Sequence, residues 1–165
     1  MRGTAPLSDD LLDLIDLFTS HGVEFLIVGA HAFAVHAYPR QTQDLDLWVK
    51  RSLENAHRIR LALDEFGFAI GDEGERQLTL DRNMLQLGHP PNRVDILTFL
   101  DGCEYDSSES RKAETSLAGR RVFVLGLEDY VSTKRASGRP KDVDDLNRLR
   151  EQIGSLPDEP PNKNG

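Results

Sequence analysis

Two aspartates interrupt an otherwise apolar segment whose composition is typical of a strand. Asp44 and Asp46 lie in the run "DLDLWV" at residues 44–49. Because side chains alternate along a strand, both carboxylates project from the same face, and like charges at this spacing repel unless a cation lies between them. Carboxylate oxygens favour Mg²⁺ or Mn²⁺ as that cation. The alternative is an exposed strand edge whose two acids bind nothing.

Two further features favour a site for a phosphorylated ligand. Asp95 interrupts a second apolar run, "RVDILTFL", and two neighbouring strands would bring it beside Asp44 and Asp46. Gly29 and Ala30 connect an apolar run to a short helical segment, and free backbone N–H groups at the start of a helix bind phosphate oxygens. Taken singly, each has an ordinary alternative: an edge residue for Asp95 and a tight turn for Gly29.

The segment "KRASGRPKD", residues 134–142, supplies the cations that such a ligand needs. Lys134, Arg139 and Lys141 are placed to meet phosphates or to pair with the aspartates of residues 142–145. A solvated helical surface is the alternative interpretation of the same charges.

Hydrophobic periodicity and capping residues indicate the helices and strands that position these side chains. Two helices begin after the N-cap residues Ser8 and Ser52 and stop at Gly22 and Gly67. Further helices are expected over 30–37, 127–137 and 140–153, and strands over 23–29, 44–49, 84–88, 93–100 and 120–126. The interval 101–118 is expected to be a loop or a short helix.

The composition indicates one soluble globular domain. A chain of 165 residues with 38% hydrophobic and 29% charged residues suits a single core over 1–153, and the Pro- and Asn-rich residues 154–165 are expected to form a disordered tail. The longest apolar run is too short to span a bilayer and the lone Cys103 forms no intramolecular disulfide, so we expect a cytoplasmic protein with no membrane partner. The net charge of -8 argues against a general nucleic-acid-coating surface.

Two separated blocks of the chain together resemble the nucleotidyltransferase superfamily that shares the palm of DNA polymerase β. The nearer similarity is to small bacterial minimal nucleotidyltransferases of the AbiEii toxin type. Their "VGGxAxxxHGxxRxTxDxDxxV" run stands here as "VGAHAFAVHAYPRQTQDLDLWV", and their "LxDLxxxKxxxxRxKDxxDLxxL" run as "LEDYVSTKRASGRPKDVDDLNRLR". The similarity covers roughly residues 23–152.

The resemblance implies an α+β fold: a mixed sheet flanked by helices, with a C-terminal helical segment and a nucleotide site at the sheet edge. It implies that Asp44 and Asp46 hold the metal that carries the triphosphate. It also implies that Asp95 completes a second metal position and helps to activate the attacking hydroxyl. The residues expected near the nucleotide are Gly29, Ala30, His31, Arg40, Thr42, Lys134 and Arg139.

The chain departs from the family pattern at two positions. Ala30 replaces a second Gly or a Ser, which removes any hydroxyl contact to phosphate and leaves the backbone N–H, with His31 as a candidate substitute. Ala37 replaces the Gly that follows the helical His36. Neither change removes a metal ligand, so we expect an active enzyme.

The leading hypothesis is a Mg²⁺- or Mn²⁺-dependent transferase that moves a nucleoside monophosphate from an NTP to a hydroxyl of RNA, protein or a small molecule. The resemblance suggests a toxin-antitoxin or phage-defence setting, with tRNA or a protein as acceptor and a cognate antitoxin as partner. One alternative is a catalytically degenerate module of the same fold that binds a nucleotide or a partner chain, which Ala30 favours. The third hypothesis, a D-x-D glycosyltransferase, leaves the "RPKD" block unexplained.

Overall fold

The computed structural model describes residues 7–37, 44–90 and 92–160. Within these ranges the chain forms seven helices and six strands. In chain order the elements are α1 (Asp9–Ser20), β1 (Phe25–Val28), α2 (Ala30–His36), β2 (Leu45–Val49), α3 (Leu53–Phe66), α4 (Gly71–Gln77), β3 (Met84–Leu87), β4 (Val94–Leu97), α5 (Tyr105–Ser110), β5 (Ala113–Leu117), β6 (Arg120–Val124), α6 (Leu127–Ser137) and α7 (Pro140–Ile153).

The six strands form one mixed sheet in the order β3-β4-β2-β1-β6-β5. Strand β2 runs antiparallel to β1 and parallel to β4, β1 runs parallel to β6, and the two outer pairs are antiparallel. The α+β class with a mixed sheet and a C-terminal pair of helices is therefore confirmed.

The register of the sheet aligns polar residues of neighbouring strands in one row. Gln86 of β3 is opposite Asp95 of β4, Asp95 is opposite Asp46 of β2, and Asp46 is opposite Val28 of β1. Residues opposite one another in a sheet project from the same face. The fold thus places Asp95 next to Asp46, the arrangement expected from the two interrupted apolar strands.

Helix starts follow the local chemistry of the sequence. Ser8 Oγ accepts a hydrogen bond of 3.3 Å from the backbone N–H of Leu11, and Ser52 Oγ accepts one of 3.0 Å from Asn55 at the start of α3. Each serine satisfies a backbone donor that the first turn of a helix leaves unpaired. Helix α3 ends at Gly67, whose φ of 107° lies in the left-handed region, which glycine adopts readily.

The core lies between the sheet and the amphipathic faces of the longer helices. Strand β2 is buried on both of its faces, with Leu45, Leu47 and Val49 fully covered and Trp48 2% exposed. Phe18 of α1 is likewise fully buried. Because β2 is an internal strand, Asp46 does not lie on an edge strand, and the interpretation of this residue as part of an exposed edge is wrong.

Two elements were not predicted from the sequence. Helix α4 has the sequence "GDEGERQ", which lacks an apolar stripe; ion pairs from α3 hold it, including Arg60 to Asp72 at 2.6 Å and His57 to Glu75 at 2.6 Å. Strand β5 lies in the interval 101–118, where we expected only a loop or short helix. Its residues alternate between half-buried and exposed at the margin of the sheet, so its sequence has no apolar run. The pairing with β6 defines it as a strand.

The chain continues in packed form beyond α7. Leu156 is 1% exposed, and Glu159 accepts hydrogen bonds from Arg150 at 2.5 Å and Arg135 at 3.2 Å. The expected disordered tail was placed from residue 154, whereas the described part of that segment, residues 154–160, contacts the domain. No described helix is long and apolar enough to cross a membrane.

Candidate functional site

Asp46 is a carboxylate in an unfavourable environment. Burial raises its pKa to about 6, and the negative charges of Asp95 and Asp44 act in the same direction, while the positive charge of Arg93 opposes them. Asp44 is half-buried and immediately precedes β2. Three carboxylates around one guanidinium leave an excess of negative charge, which is the condition that a bound cation relieves.

Asp95 is held by two neighbours that the sequence did not single out. Arg93 donates from Nη2 to Asp95 Oδ2 at 3.2 Å and from Nε to Oδ1 at 3.4 Å, and Gln86 donates from Nε2 to Oδ1 at 3.2 Å. Asp95 itself is 9% exposed. The signal was present in "RVD", since residues two apart on a strand share a face.

Gly29 makes the close approach between β1 and Asp46 possible. Its φ of 72° lies in the left-handed region, and a Cβ at this position would lie 2.2 Å from Asp46 Oδ2. Gly29 is also the N-cap of α2, and its carbonyl accepts a 3.1 Å hydrogen bond from Phe33. The predicted Gly29-Ala30 turn therefore exists, with Ala30 as the first residue of the helix.

The two histidines of α2 hold the helix in place. His31 is 6% exposed, and burial lowers its pKa, against the opposing effect of a hydrogen bond to the backbone of Asp44. His36 Nε2 donates to the carbonyl of Leu125 at 2.7 Å, which ties α2 to the segment before α6. Neither histidine is among the residues that line the cleft beside Asp46, and the expected contact of His31 with the nucleotide stays a prediction.

A cleft of about 350 Å³ opens beside Asp46. It brings together Gly29 and Asp46 from the first sequence block with Lys134 and Arg139 from the second, as the resemblance implied. The whole lining is Val28, Gly29, Asp46, Leu97, Phe99, Leu100, Asp101, Thr133, Lys134, Ser137, Arg139 and Asp142.

Lys134 is at the cleft but is already paired. Its Nζ lies 3.2 Å from Asp142 Oδ1 and 3.0 Å from Asp145 Oδ2, and the three side chains are 15%, 1% and 0% exposed. Arg139 binds Asp142 as well, at 2.8 Å from Nε to Oδ2, although its own side chain is 71% exposed. Burial alone would raise the pKa of Asp142, but hydrogen bonds from Arg139 and Lys134 bring it below its ordinary value.

The two remaining candidates, Arg40 and Thr42, lie outside the described residues. Of the aspartates that follow the basic segment, Asp144 pairs with Arg148 on the exposed side of α7, at 3.0 Å. The charged side chains of residues 134–145 therefore lie in two places. Lys134 and Arg139 line the cleft, whereas Asp144 belongs to a separate ion pair on the surface.

The described residues hold no ready cage of three or more His, Cys, Asp or Glu side chains for a metal. The donor chemistry nevertheless fits a hard divalent cation, because Asp46, Asp44 and Asp95 offer only oxygen, and the negative charges of Asp44 and Asp95 both act on Asp46.

A second cavity of about 640 Å³ adjoins the cleft and shares Phe99, Leu100 and Asp101 with it. Trp48 and Tyr105 form an aromatic part of its wall, with their ring centroids 5.2 Å apart. Its charged lining residues are Lys50, Arg51, Asp81, Arg82, Asp101, Glu104 and Asp106. No pattern in the sequence indicated this cavity, because its residues come from three separate segments: 48–51, 81–82 and 98–106.

The chain matches a family model over most of its length. The family is described as "Nucleotidyl transferase of unknown function (DUF2204)", and the match covers residues 7–158. A search of curated proteins finds no match.

Several solved structures share the fold. A Thermotoga maritima protein assigned as a nucleotidyltransferase is 19% identical with a TM-score of 0.54, over 86% of this chain and 88% of that one. ANT(2″)-Ia, solved with adenylyl-2″-tobramycin, is 15% identical with a TM-score of 0.54, over 86% of each chain. The lincosamide adenylyltransferase LnuA, solved with lincomycin, is 15% identical with a TM-score of 0.51, over 88% and 98%. At these identities the likeness shows the fold alone.

Proposed function

The protein is a nucleotidyltransferase of the DUF2204 family, and we propose that it moves a nucleoside monophosphate from an NTP to a hydroxyl of a small molecule, with Mg²⁺ or Mn²⁺ as cofactor. The observation that carries the proposal is the meeting of Asp46, its neighbour Asp95 and the turn at Gly29 beside one cleft. Carboxylates packed together repel one another unless a cation lies between them, so a cation site accounts for the arrangement.

Each group has a role in an in-line displacement at the α-phosphorus. Asp44 and Asp46 would hold the divalent ion, and Gly29, which has no Cβ, lets the carboxylate of Asp46 lie against the turn between β1 and α2. A bound divalent ion would supply charge stabilisation at the reacting phosphate and at the departing pyrophosphate. Asp95 would act through the same ion to orient the attacking hydroxyl, and the exposed guanidinium of Arg139 lies at the cleft to meet the distal phosphates.

The adjoining cavity favours a small molecule over RNA as the acceptor. It shares Phe99, Leu100 and Asp101 with the cleft, and its volume of about 640 Å³ suits a compound of moderate size. Four carboxylates line it against three basic side chains, and two of those bases are paired within it, Lys50 with Asp106 and Arg82 with Asp101. A polyanionic acceptor would meet net repulsion there.

The setting in the cell stays a prediction. Similarity of the sequence motifs to the AbiEii toxin type supports a toxin-antitoxin or phage-defence role with a cognate antitoxin, and a cytoplasmic location. A protein or tRNA acceptor belongs to that same prediction, and the acidic cavity makes tRNA the less favoured of the two.

A catalytically degenerate binding module is the second candidate function, and one observation favours it. Lys134 gives its charge to Asp142 and Asp145, and Ala30 brings no hydroxyl to the cleft. The site therefore offers a triphosphate fewer contacts than the two sequence blocks suggested.

The test is transfer of label from each of the four α-labelled NTPs, with Mg²⁺ or Mn²⁺, into a cell extract separated into RNA, protein and small molecules. We expect one NTP to label the small-molecule fraction. The double variant Asp44→Asn, Asp46→Asn should give no label, and Asp13→Asn, Asp64→Asn, which removes two exposed carboxylates from α1 and α3, should match the wild type. Nucleotide binding without any labelled fraction would favour the binding module.

A further inference from the structure

Arg93 contacts the carboxylate cluster, and the proposed reaction gives it no role. It lies two residues before Asp95, and the guanidinium engages both oxygens of that carboxylate, at 3.2 Å and 3.4 Å. Its side chain is 36% exposed, so it is no part of the hydrophobic core. An arginine with this geometry places a fixed positive charge against Asp95.

The hydrogen bonds to Asp95 limit what that carboxylate can still bind. A carboxylate has about four lone-pair positions. Arg93 Nε and Gln86 Nε2 both donate to Oδ1, and Arg93 Nη2 donates to Oδ2. Asp95 also shares a side-chain hydrogen bond with Asp46, so a cation that binds at its remaining position would be one that Asp46 also holds. Asp95 has no oxygen left for a separate second cation.

We propose that the positive charge of Arg93 takes the place of a second metal ion. Arg93 holds Asp95 and restricts the carboxylate cluster to one divalent metal ion. Arg93 is then a positioning residue, which acts on the metal through Asp95. The proposal rests on the metal site of the proposed function and goes beyond it, because the two-metal arrangement implied by the family resemblance needs Asp95 to be free.

The experiment is a titration of the full-length protein with Mn²⁺ alone, in which the electron paramagnetic resonance signal of free Mn²⁺ gives the number bound and their affinities. We expect the wild type to bind one Mn²⁺ and Arg93→Gln to bind a second. Removing a unit charge within a few ångströms of a cation site changes affinity by about tenfold or more. The double variant Arg93→Gln, Asp95→Asn should return to one.

Two further variants separate this effect from general charge and from folding. Arg60→Gln removes the same charge from the α3–α4 surface, where Arg60 pairs with Asp72, and should leave Mn²⁺ binding unchanged. Arg93→Lys keeps a positive charge and should stay at one Mn²⁺. If Arg93→Gln unfolds, the numbers of Mn²⁺ bound by the wild type and by Arg93→Lys still test the inference.

Two results would overturn the inference while leaving the metal site in place. One is a wild type that binds two Mn²⁺ with similar affinity, and the other is a folded Arg93→Gln whose Mn²⁺ binding equals that of the wild type. Absence of Mn²⁺ binding in every variant is a different result. It would contradict the proposed metal site itself, and the inference about Arg93 with it.

Discussion

Charge is arranged in opposite ways in two regions that meet at the cleft. On the sheet, Asp44, Asp46 and Asp95 crowd together, and the pKa of Asp46 is raised to about 6. Between α6 and α7, Lys134 is matched to the fully buried Asp142 and Asp145, and the pKa of Asp142 is lowered. The first cluster is incomplete without a cation, whereas the second satisfies itself. We infer that the sheet cluster binds the ligand and that the helical cluster holds the two helices together.

Removal of Lys134 should give the largest loss of stability. Lys134→Met keeps the aliphatic volume but removes the cation that Asp142 and Asp145 share, and breaking a buried pair costs about 3–5 kcal/mol. Lys50→Met, which breaks the exposed pair with Asp106, should cost much less. Urea unfolding measures both.

The comparison would fail if Lys134→Met unfolded at the same urea concentration as the wild type. That result would mean that the helical cluster contributes little to the fold. Adding Asp145→Asn to Lys134→Met should restore part of the lost stability, since it removes one of the two buried negative charges that Lys134 no longer balances.

Replacement of Gly29 should have the next largest effect. An alanine there suffers left-handed strain of about 1–2 kcal/mol and brings its Cβ to 2.2 Å from Asp46 Oδ2. Gly119→Ala is a matched control, because Gly119 has a φ of 81° and no atom within 4 Å of its added Cβ. Unfolding measurements should show a larger loss for Gly29→Ala, and Mn²⁺ titration should show weaker binding for that variant only. Equal losses of stability in both variants would contradict the importance of the close approach between Gly29 and Asp46.

The pH dependence of stability should show the smallest effect. The pKa of Asp46 is about 6 in the folded protein against 3.8 as the ordinary value, so the folded state binds more protons between these values. Stability from this group is present below about pH 4 and is lost as the pH rises through 6. Without added metal, Asp46→Asn should therefore unfold later than the wild type at about pH 7.5 and equally at about pH 4. A wild type as stable as the variant at the higher pH would contradict the crowding of charge on the sheet.

Local chemistry explains which parts of the fold were predictable. Ser8, Ser52 and Gly67 marked helix ends because capping acts within a few residues. Helix α4 and strand β5 were missed because their partners, α3 and β6, are what define them. A hydrophobic pattern in the sequence indicates that one face of a helix or strand is buried. Neither α4 nor β5 buries a continuous face.

The candidate site was predictable to the same extent. Because side chains alternate along a strand, Asp46 was predicted to project from one face of the sheet. The parallel pairing of β2 with β4 places Asp95 beside it on that face. The pairing of Lys134 with Asp142 and Asp145 depends on how α6 packs against α7, which sequence spacing does not specify. The contact between Arg93 and Asp95 was not predicted, because a basic residue two positions before an acid, as in "RVD", is common on exposed strands.

The most direct test of the account is calorimetric titration of a non-hydrolysable NTP analogue into the wild type and Asp46→Asn, with Mg²⁺ and with a chelator, and with Asp64→Asn as the control. We predict that Mg²⁺ strengthens binding about tenfold or more in the wild type and in Asp64→Asn, and that Asp46→Asn loses this dependence while it stays folded. Unchanged Mg²⁺-dependent affinity in Asp46→Asn would contradict the assignment of the sheet cluster as the nucleotide site.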